Sequence, residues 1–513
     1  MFESSTSGPR IWISTSSARF RSGDCDCPTA CPEPVTWAEH RAQVRTLLQE
    51  VTGGGIQKVS LNRDTFLSRV GEYTVSFNAA REPVVVLDNQ AGQLLSFLNV
   101  PRTPEELKAR FAGWTDGVLE QTVALLIAMG ILAPSGESGE KQADVAREGP
   151  KILTAWFHLT HQCNLACKYC YVARSDQRMP PYIAEKAVDA VYRSALAYGY
   201  EQVRLKYAGG EPMLNFEALL AAQRRAESLS AETGIELRTV VLTNGTLLTD
   251  DQLDTLLAHD VQVMVSLDGI GPYQDAQRPP VGRAGGSFKP VRDTLDRLLD
   301  RGISPHISVT ITAQNLKGLS ELVGFLLDRQ LRFSLNFYRE PDGSSAHRAL
   351  AFTSGQIIEG LREVFRLIER RLPRYSLLPN LTDRADPSVP HLRPCGVGLN
   401  YMVIDCNGDV SKCQMDMAYP ITTIDADNPL EAIRKDTARV QNLLVDQKEC
   451  RECVWRYRCA GGCPRLTFQH TGRYDARSPL CEVYRAILPE AVRLEALRMI
   501  RYEEPWDFGL TRD

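Results

Sequence analysis

A chain of 513 residues exceeds one ordinary domain, so roughly two to four folding units are expected. Apolar residues make up 43% and charged residues 24%, the balance of a soluble chain with a sizeable core, and a net charge of −4 leaves no global basic field to recruit nucleic acid or an anionic membrane. The most apolar stretch, residues 124–133, is too short to span a bilayer, and the Ser-rich N-terminus has no basic-then-apolar signal region, so a cytoplasmic chain with no membrane partner is expected.

Residues 1–35 hold Ser, Gly, Pro and the run Cys25-Asp-Cys27-Pro-Thr-Ala-Cys31-Pro without helical or strand period, and are expected to form a flexible arm. Residues 36–134 begin with a helical pattern from Trp37 to Val51, ended by Thr52-Gly-Gly-Gly55. Strand-like segments Tyr73–Asn78 and Pro83–Leu87 follow, then helical patterns Gln90–Leu98, Pro104–Arg110 and Asp116–Met129, together a winged-helix-like unit. Residues 135–150 are polar and charged, as in a linker.

From 151 to 345 strands alternate with helices. The strand candidates are Ala155–Leu159, Val203–Tyr207, Leu237–Leu242, Val261–Ser266, His306–Ile311 and Phe333–Tyr338. Between them lie helical patterns Ile183–Leu196, Phe216–Glu232, Asp250–Leu257, Pro290–Arg301 and Leu316–Arg329. This α/β alternation predicts a parallel sheet or incomplete barrel with its chemistry at the C-terminal strand ends. A helical connector (346–394, with its helix at Gly355–Leu372) precedes a cysteine-dense segment (395–485), and the tail (486–513) carries a helix spanning Tyr484–Ile500.

Fourteen cysteines fall in three clusters: three at 25–31, three at 163–170 and eight at 395–481. Short fixed spacings in a chain without an export signal point to metal or iron–sulfur ligands rather than disulfides. Directly after the first strand, Cys163, Cys167 and Cys170 have the spacing C-x3-C-x2-C. Three thiolates in one loop can hold three irons of a [4Fe–4S] cluster and leave the fourth open. A zinc site, with His161 or water as fourth ligand, is the alternative, although zinc sites usually come as paired C-x2-C units.

This loop, including Tyr169 before its last cysteine, resembles the radical S-adenosylmethionine (SAM) signature. The resemblance implies a partial (β/α)6 TIM-like barrel in which SAM chelates the open iron and an electron from the reduced cluster cleaves its sulfonium to a 5′-deoxyadenosyl radical. Gly209-Gly210-Glu211-Pro212, at the end of the second strand, matches the family's contact to the SAM amino group, its glycines permitting close backbone approach. The resemblance further implies a cofactor role for Asn244 after the third strand and Ser266 and Asp268 near the ribose and methionine parts, with Arg278 as carboxylate partner. Each can equally serve as a cap or turn residue.

From Cys395 the spacings C-x12-G-x4-C (Cys395, Gly408, Cys413) and C-x2-C-x5-C-x3-C (Cys450, Cys453, Cys459, Cys463), followed by Cys481, resemble the seven-cysteine pattern of the SPASM subfamily. That likeness implies two auxiliary [4Fe–4S] clusters, making three in all. Cys395, Cys413 and Cys463 would hold the first auxiliary cluster, and Cys450, Cys453, Cys459 and Cys481 the second. No further cysteine lies between Cys170 and Cys395, so the first auxiliary cluster would either keep an open iron or use Cys406. Sulfatase-maturing members are expected to place an Asp directly after the second of these cysteines; here that residue is Gln414, with Asp416 two positions on.

The unit at about 57–135 resembles the leader-recognition domain of ribosomally made peptide pathways, through Val86-Leu-Asp88, Ala91, Leu95 and Pro104-Glu-Glu-Leu107. Such a domain adds a leader peptide as a strand to a sheet edge. A DNA-reading winged helix would instead be basic, whereas the third helical pattern has Asp116 and Glu120 and no Lys or Arg. The expected function is therefore radical modification of a residue in a leader-bearing precursor peptide, forming a thioether or carbon–carbon crosslink, with flavodoxin or ferredoxin as electron donor. The alternatives are a maturase for a folded protein or cofactor precursor, and an inert leader-binding iron–sulfur scaffold.

Overall fold

A computed structural model describes residues 8–14, 37–81, 83–114, 117–135, 151–282, 285–340 and 349–507. Cys25, Cys27 and Cys31, most of the expected linker, and Asp116 lie outside the described residues.

The N-terminal region opens with β1 (Ile11–Ile13) and α1 (Trp37–Thr52). Next come β2 (Val59–Leu61), β3 (Thr65–Val70), β4 (Tyr73–Asn78) and β5 (Val85–Leu87). Helices α2 (Asn89–Phe97), α3 (Pro104–Arg110) and α4 (Val118–Ala128) follow, and β6 (Leu132–Pro134) closes back on β2. Local chemistry sets the helix starts: Asp88 caps α2 through the Ala91 amide, and Thr103 and Glu106 form a reciprocal capping box with Pro104 at the first turn of α3. The apolar faces of α1, α2 and α4 close over one side of the sheet in a common core.

One expectation is corrected here. Part of the N-terminal arm is a strand: Ile11, Trp12 and Ile13 are buried and pair antiparallel with Leu87, Val86 and Val85. Three apolar residues are too short to show a period, yet they complete a four-stranded sheet in the order β1-β5-β4-β3. The Ser14 amide donates to Val84, and the Trp506 amide of the C-terminal tail donates to Ile11.

The barrel region supplies six parallel strands: β7 (Ile152–His158), β8 (Gln202–Ala208), β9 (Glu236–Thr243), β10 (Val261–Ser266), β11 (His306–Ile311) and β12 (Phe333–Phe337). Their near-continuous burial is the signature of a parallel sheet covered on both faces. Helices α5 (Pro181–Tyr198), α6 (Phe216–Thr233), α7 (Asp250–Ala258), α8 (Pro272–Gln277), α9 (Phe288–Asp300) and α10 (Leu319–Asp328) form the crossovers. The connector carries α11 (Ser354–Arg370).

The cysteine-dense segment is not a separate body. Its strand β13 (Tyr401–Ile404) pairs parallel with β7, and β14 (Asp409–Ser411) and β15 (Thr422–Thr423) extend the sheet antiparallel to nine strands. Short helices α12 (Pro429–Lys435), α13 (Arg456–Cys459) and α14 (Pro464–Thr471) precede the long α15 (Cys481–Tyr502), which packs along α11 and reaches β3 and β5. The N-terminal sheet seats on this segment: Phe66 and Phe77 meet the Trp455 ring at 4.9 and 5.1 Å, Arg456 pairs with Asp64 at 2.8 Å, and the buried Arg458 donates to the Asn78 carbonyl at 3.1 Å. Among the described residues no helix is long and apolar enough to cross a membrane.

Candidate active site

The C-terminal ends of β8 to β12 surround a cavity of about 490 Å³. Cys163, Cys167 and Cys170 line it from the loop after β7, as do Tyr169, Gly209, Gly210, Asn244, Ser266 and Arg278. The backbone explains the loop's position. The Gly210 amide donates to Thr160 at 2.6 Å and the Glu211 amide to Gln162 at 2.8 Å, tying the end of β8 to the cysteine loop. A Cβ on Gly210 would stand 2.2 Å from the Gln162 carbonyl oxygen, and one on Gly209, where φ is +153°, 2.6 Å from that of Thr160. The two glycines are therefore demanded by the approach of the loop's own backbone.

Glu211, Pro212 and Asp268 are not on the cavity wall. Glu211 is fully buried and accepts from the Thr243 hydroxyl at 2.7 Å and from the amides of Asn244 and Met213 at 2.7 and 3.1 Å, so it fixes the turn that presents Asn244. Burial pushes its carboxyl up to about 7 while these donors pull it down. Asp268, also fully buried, holds the cavity-lining Arg278 from behind the wall. Arg278 in turn reaches to 4.0 Å from the Cys167 sulfur and lies over the Tyr169 ring at 5.2 Å. Asn244 approaches the Cys163 sulfur at 3.9 Å and donates to Asn164 at 2.8 Å.

Cys395, Cys413 and Cys463 line the same cavity from the other side. Cys450, Cys453, Cys459 and Cys481 border a separate small cavity of about 30 Å³ under Trp455. Cys406 joins neither group: it is 1% exposed beneath the barrel, and its thiol donates to the His158 carbonyl at 3.1 Å. Burial pushes Cys167, Cys413 and Cys459 up to about 12 and Cys395 to about 11. Within each group the thiols raise one another further, as Cys463 does Cys395 and Cys450 does Cys459. Such gatherings of thiols become thiolates when a cationic iron core supplies the opposing charge, and in that respect their donor set fits iron–sulfur clusters.

Sequence reasoning missed the rest of the wall. Arg339 at the end of β12 is held by Asp383 at 2.5 Å, and Arg465 of α14 by Asp416 at 2.9 Å. Asp416 is thus engaged and set back, while Gln414 faces the cavity and accepts from the Tyr401 hydroxyl at 3.1 Å. Among the described residues no Asp, Glu or His lines the cavity, whereas Lys168, Arg174, Arg278, Arg339, Arg384 and Arg465 do. The rule that chemistry sits at strand ends would have found Arg339; the others come from long-range packing.

Residues 157–326 match the profile of the radical SAM superfamily. An AdoMet-dependent heme synthase of Nitratidesulfovibrio vulgaris is 25% identical over 356 residues, 64% of this chain and 91% of that protein. The sporulation killing factor maturation protein SkfB of Bacillus subtilis is 27% identical over 232 residues, 44% of this chain and 48% of that protein. The solved structure of native anSMEcpe with bound AdoMet superposes with a TM-score of 0.56 at 16% identity, over 68% of this chain and all of that one, and shares the barrel fold.

Proposed function

Because this chain is a radical SAM enzyme, we propose that it modifies a residue of a ribosomally made precursor peptide, closing a thioether or carbon–carbon crosslink. One observation carries the reading: Cys395, Cys413 and Cys463 open onto the same cavity as Cys163, Cys167 and Cys170, and among the described residues no fourth cysteine joins them on that wall. A SAM-bound [4Fe–4S] cluster at the first triplet would supply a 5′-deoxyadenosyl radical that removes a substrate hydrogen. An auxiliary cluster at the second triplet would present an iron free to take a substrate thiolate.

The chain's own residues do the positioning. The Gly209–Gly210 backbone, Asn244, Ser266 and Arg278 would hold SAM against the first triplet, and the Asp268 carboxylate keeps Arg278 aimed. With Gln414 where sulfatase-maturing members are expected to carry an Asp, and Asp416 bound to Arg465, no carboxylate base faces the cavity among the described residues, which disfavours sulfatase maturation. A leader would add to the N-terminal sheet at β3, where Leu67 and Arg69 are exposed, because β1 fills the opposite edge.

The test is anaerobic incubation with SAM, dithionite and peptides encoded beside the gene. A peptide losing about two mass units per crosslink, together with equimolar 5′-deoxyadenosine, supports the reading. Steady 5′-deoxyadenosine without any peptide change contradicts it. A second reading draws on the heme synthase relative and on the six cationic side chains of the cavity wall, which would suit a carboxylate-bearing tetrapyrrole. Consumption of such a tetrapyrrole in the same assay, with the peptides untouched, selects it.

A further inference from the structure

Lys448 is buried to 2% exposure. An ammonium in that position is costly unless opposing charge meets it. Its Nζ donates to the Ala460 carbonyl at 2.8 Å, inside the turn between Cys459 and Cys463. That turn is wound tightly, with Ala460, Gly461 and Gly462 all left-handed at φ of +47°, +80° and +69°. A Cβ on Gly461 would stand 2.7 Å from Cδ of Lys448 and 2.9 Å from Nζ, so the glycine is what lets the turn close around the amine. Burial pulls the amine's pKa down, and the thiols of Cys450, Cys395, Cys459 and Cys463 act against that. Two belong to the triplet on the main cavity and two to the group of four. The turn that holds the amine runs from Cys459 of the four to Cys463 of the triplet, so Lys448 stands where the two groups meet.

We propose that Lys448 is a shared counter-ion for the two auxiliary clusters, raising the reduction potential of both together. The inference rests on the reading that those cysteines hold [4Fe–4S] clusters. Each electron added to a cluster makes it more negative, and a fixed cation in a low-dielectric interior stabilises the reduced form. Both clusters are thereby made better acceptors for the electron that oxidation of the substrate releases. The Ala460 hydrogen bond and the Gly461 contact keep the ammonium from swinging to water, so the effect is built into the fold.

The test is an EPR-monitored redox titration of the full-length reconstituted chain in a Cys163→Ala/Cys167→Ala/Cys170→Ala background, which leaves only the auxiliary signals. Lys448→Gln keeps a donor for Ala460 and loses the charge; both auxiliary midpoint potentials should fall relative to Lys448, with iron and sulfide content unchanged. Lys448→Arg keeps the charge and should hold both near their original values. Movement of only one potential, of neither, or of both equally in Lys448→Arg overturns the proposal. Failure of Lys448→Gln to load iron, with Lys448→Met failing likewise, also overturns it, because the role is then structural. Fewer than about eight irons in the Lys448 parent would instead refute the cluster reading itself.

Discussion

Arg278 meets Asp268 twice, Nε to Oδ2 at 2.5 Å and Nη2 to Oδ1 at 3.2 Å, and the same carboxylate accepts from the Tyr169 hydroxyl at 2.6 Å and the Thr310 amide at 2.8 Å. The cysteine loop and the ends of β10 and β11 are thus gathered on one buried anion. Asp268→Asn would leave Arg278 buried without its counter-charge, a defect of about 3–5 kcal/mol. Urea unfolding should show that loss, and 5′-deoxyadenosine formation should drop by more than about tenfold.

Gly210→Ala tests the contact between the β8 end and the cysteine loop. A Cβ 2.2 Å from the Gln162 oxygen cannot be accommodated without moving backbone. Reconstituted protein should lose the iron of the first triplet while keeping about eight irons elsewhere. Unchanged iron and 5′-deoxyadenosine in this variant would mean the loop is more pliable than its packing indicates.

Cys406 and Cys395 should separate cleanly. Cys406→Ser, which alters a buried thiol that donates to the His158 carbonyl, should leave iron content unchanged and cost about 1 kcal/mol of stability. If the proposed auxiliary cluster sits on the main cavity, Cys395→Ala should instead deplete it, read as lost iron and lost EPR intensity.

His158 gives the iron-free chain an acid-sensitive element. Its ring is fully buried with neither nitrogen hydrogen-bonded among the described residues, and burial, aided by nearby His161, lowers its pKa from 6.5 to about 3. A depressed pKa means the unfolded state takes up the proton first, so this contribution is intact above pH 6.5 and is lost as pH falls toward 3. His158→Phe should shift the acid-unfolding midpoint to lower pH, with little change near pH 8.

The barrel was legible because each strand is a buried apolar run: Val261–Ser266 and His306–Ile311 fall where they were expected, and Val203–Tyr207 grows by only one residue at each end. Cys395 and Cys463, grouped by their spacing pattern, line one cavity wall although 68 residues of sequence separate them. What stayed hidden depends on distant partners. Ile11–Ile13 is a strand because β5 offers an edge, and Tyr401–Ile404 joins the barrel because β7 does. Glu211 and Asp268 lie in motifs at strand ends, yet only the folded chain shows that both turn inward to bind the groups that form the wall. Lys448 carries no motif, and only folding reveals which thiols surround it.

The most direct measurement is a count of iron and sulfide after anaerobic reconstitution, paired with 5′-deoxyadenosine formation from SAM and dithionite. About twelve irons are expected, falling to about eight with no 5′-deoxyadenosine in Cys163→Ala/Cys167→Ala/Cys170→Ala. Full iron loading without SAM cleavage would contradict the enzymatic account, and zinc in place of iron would contradict the reading of the cysteines altogether.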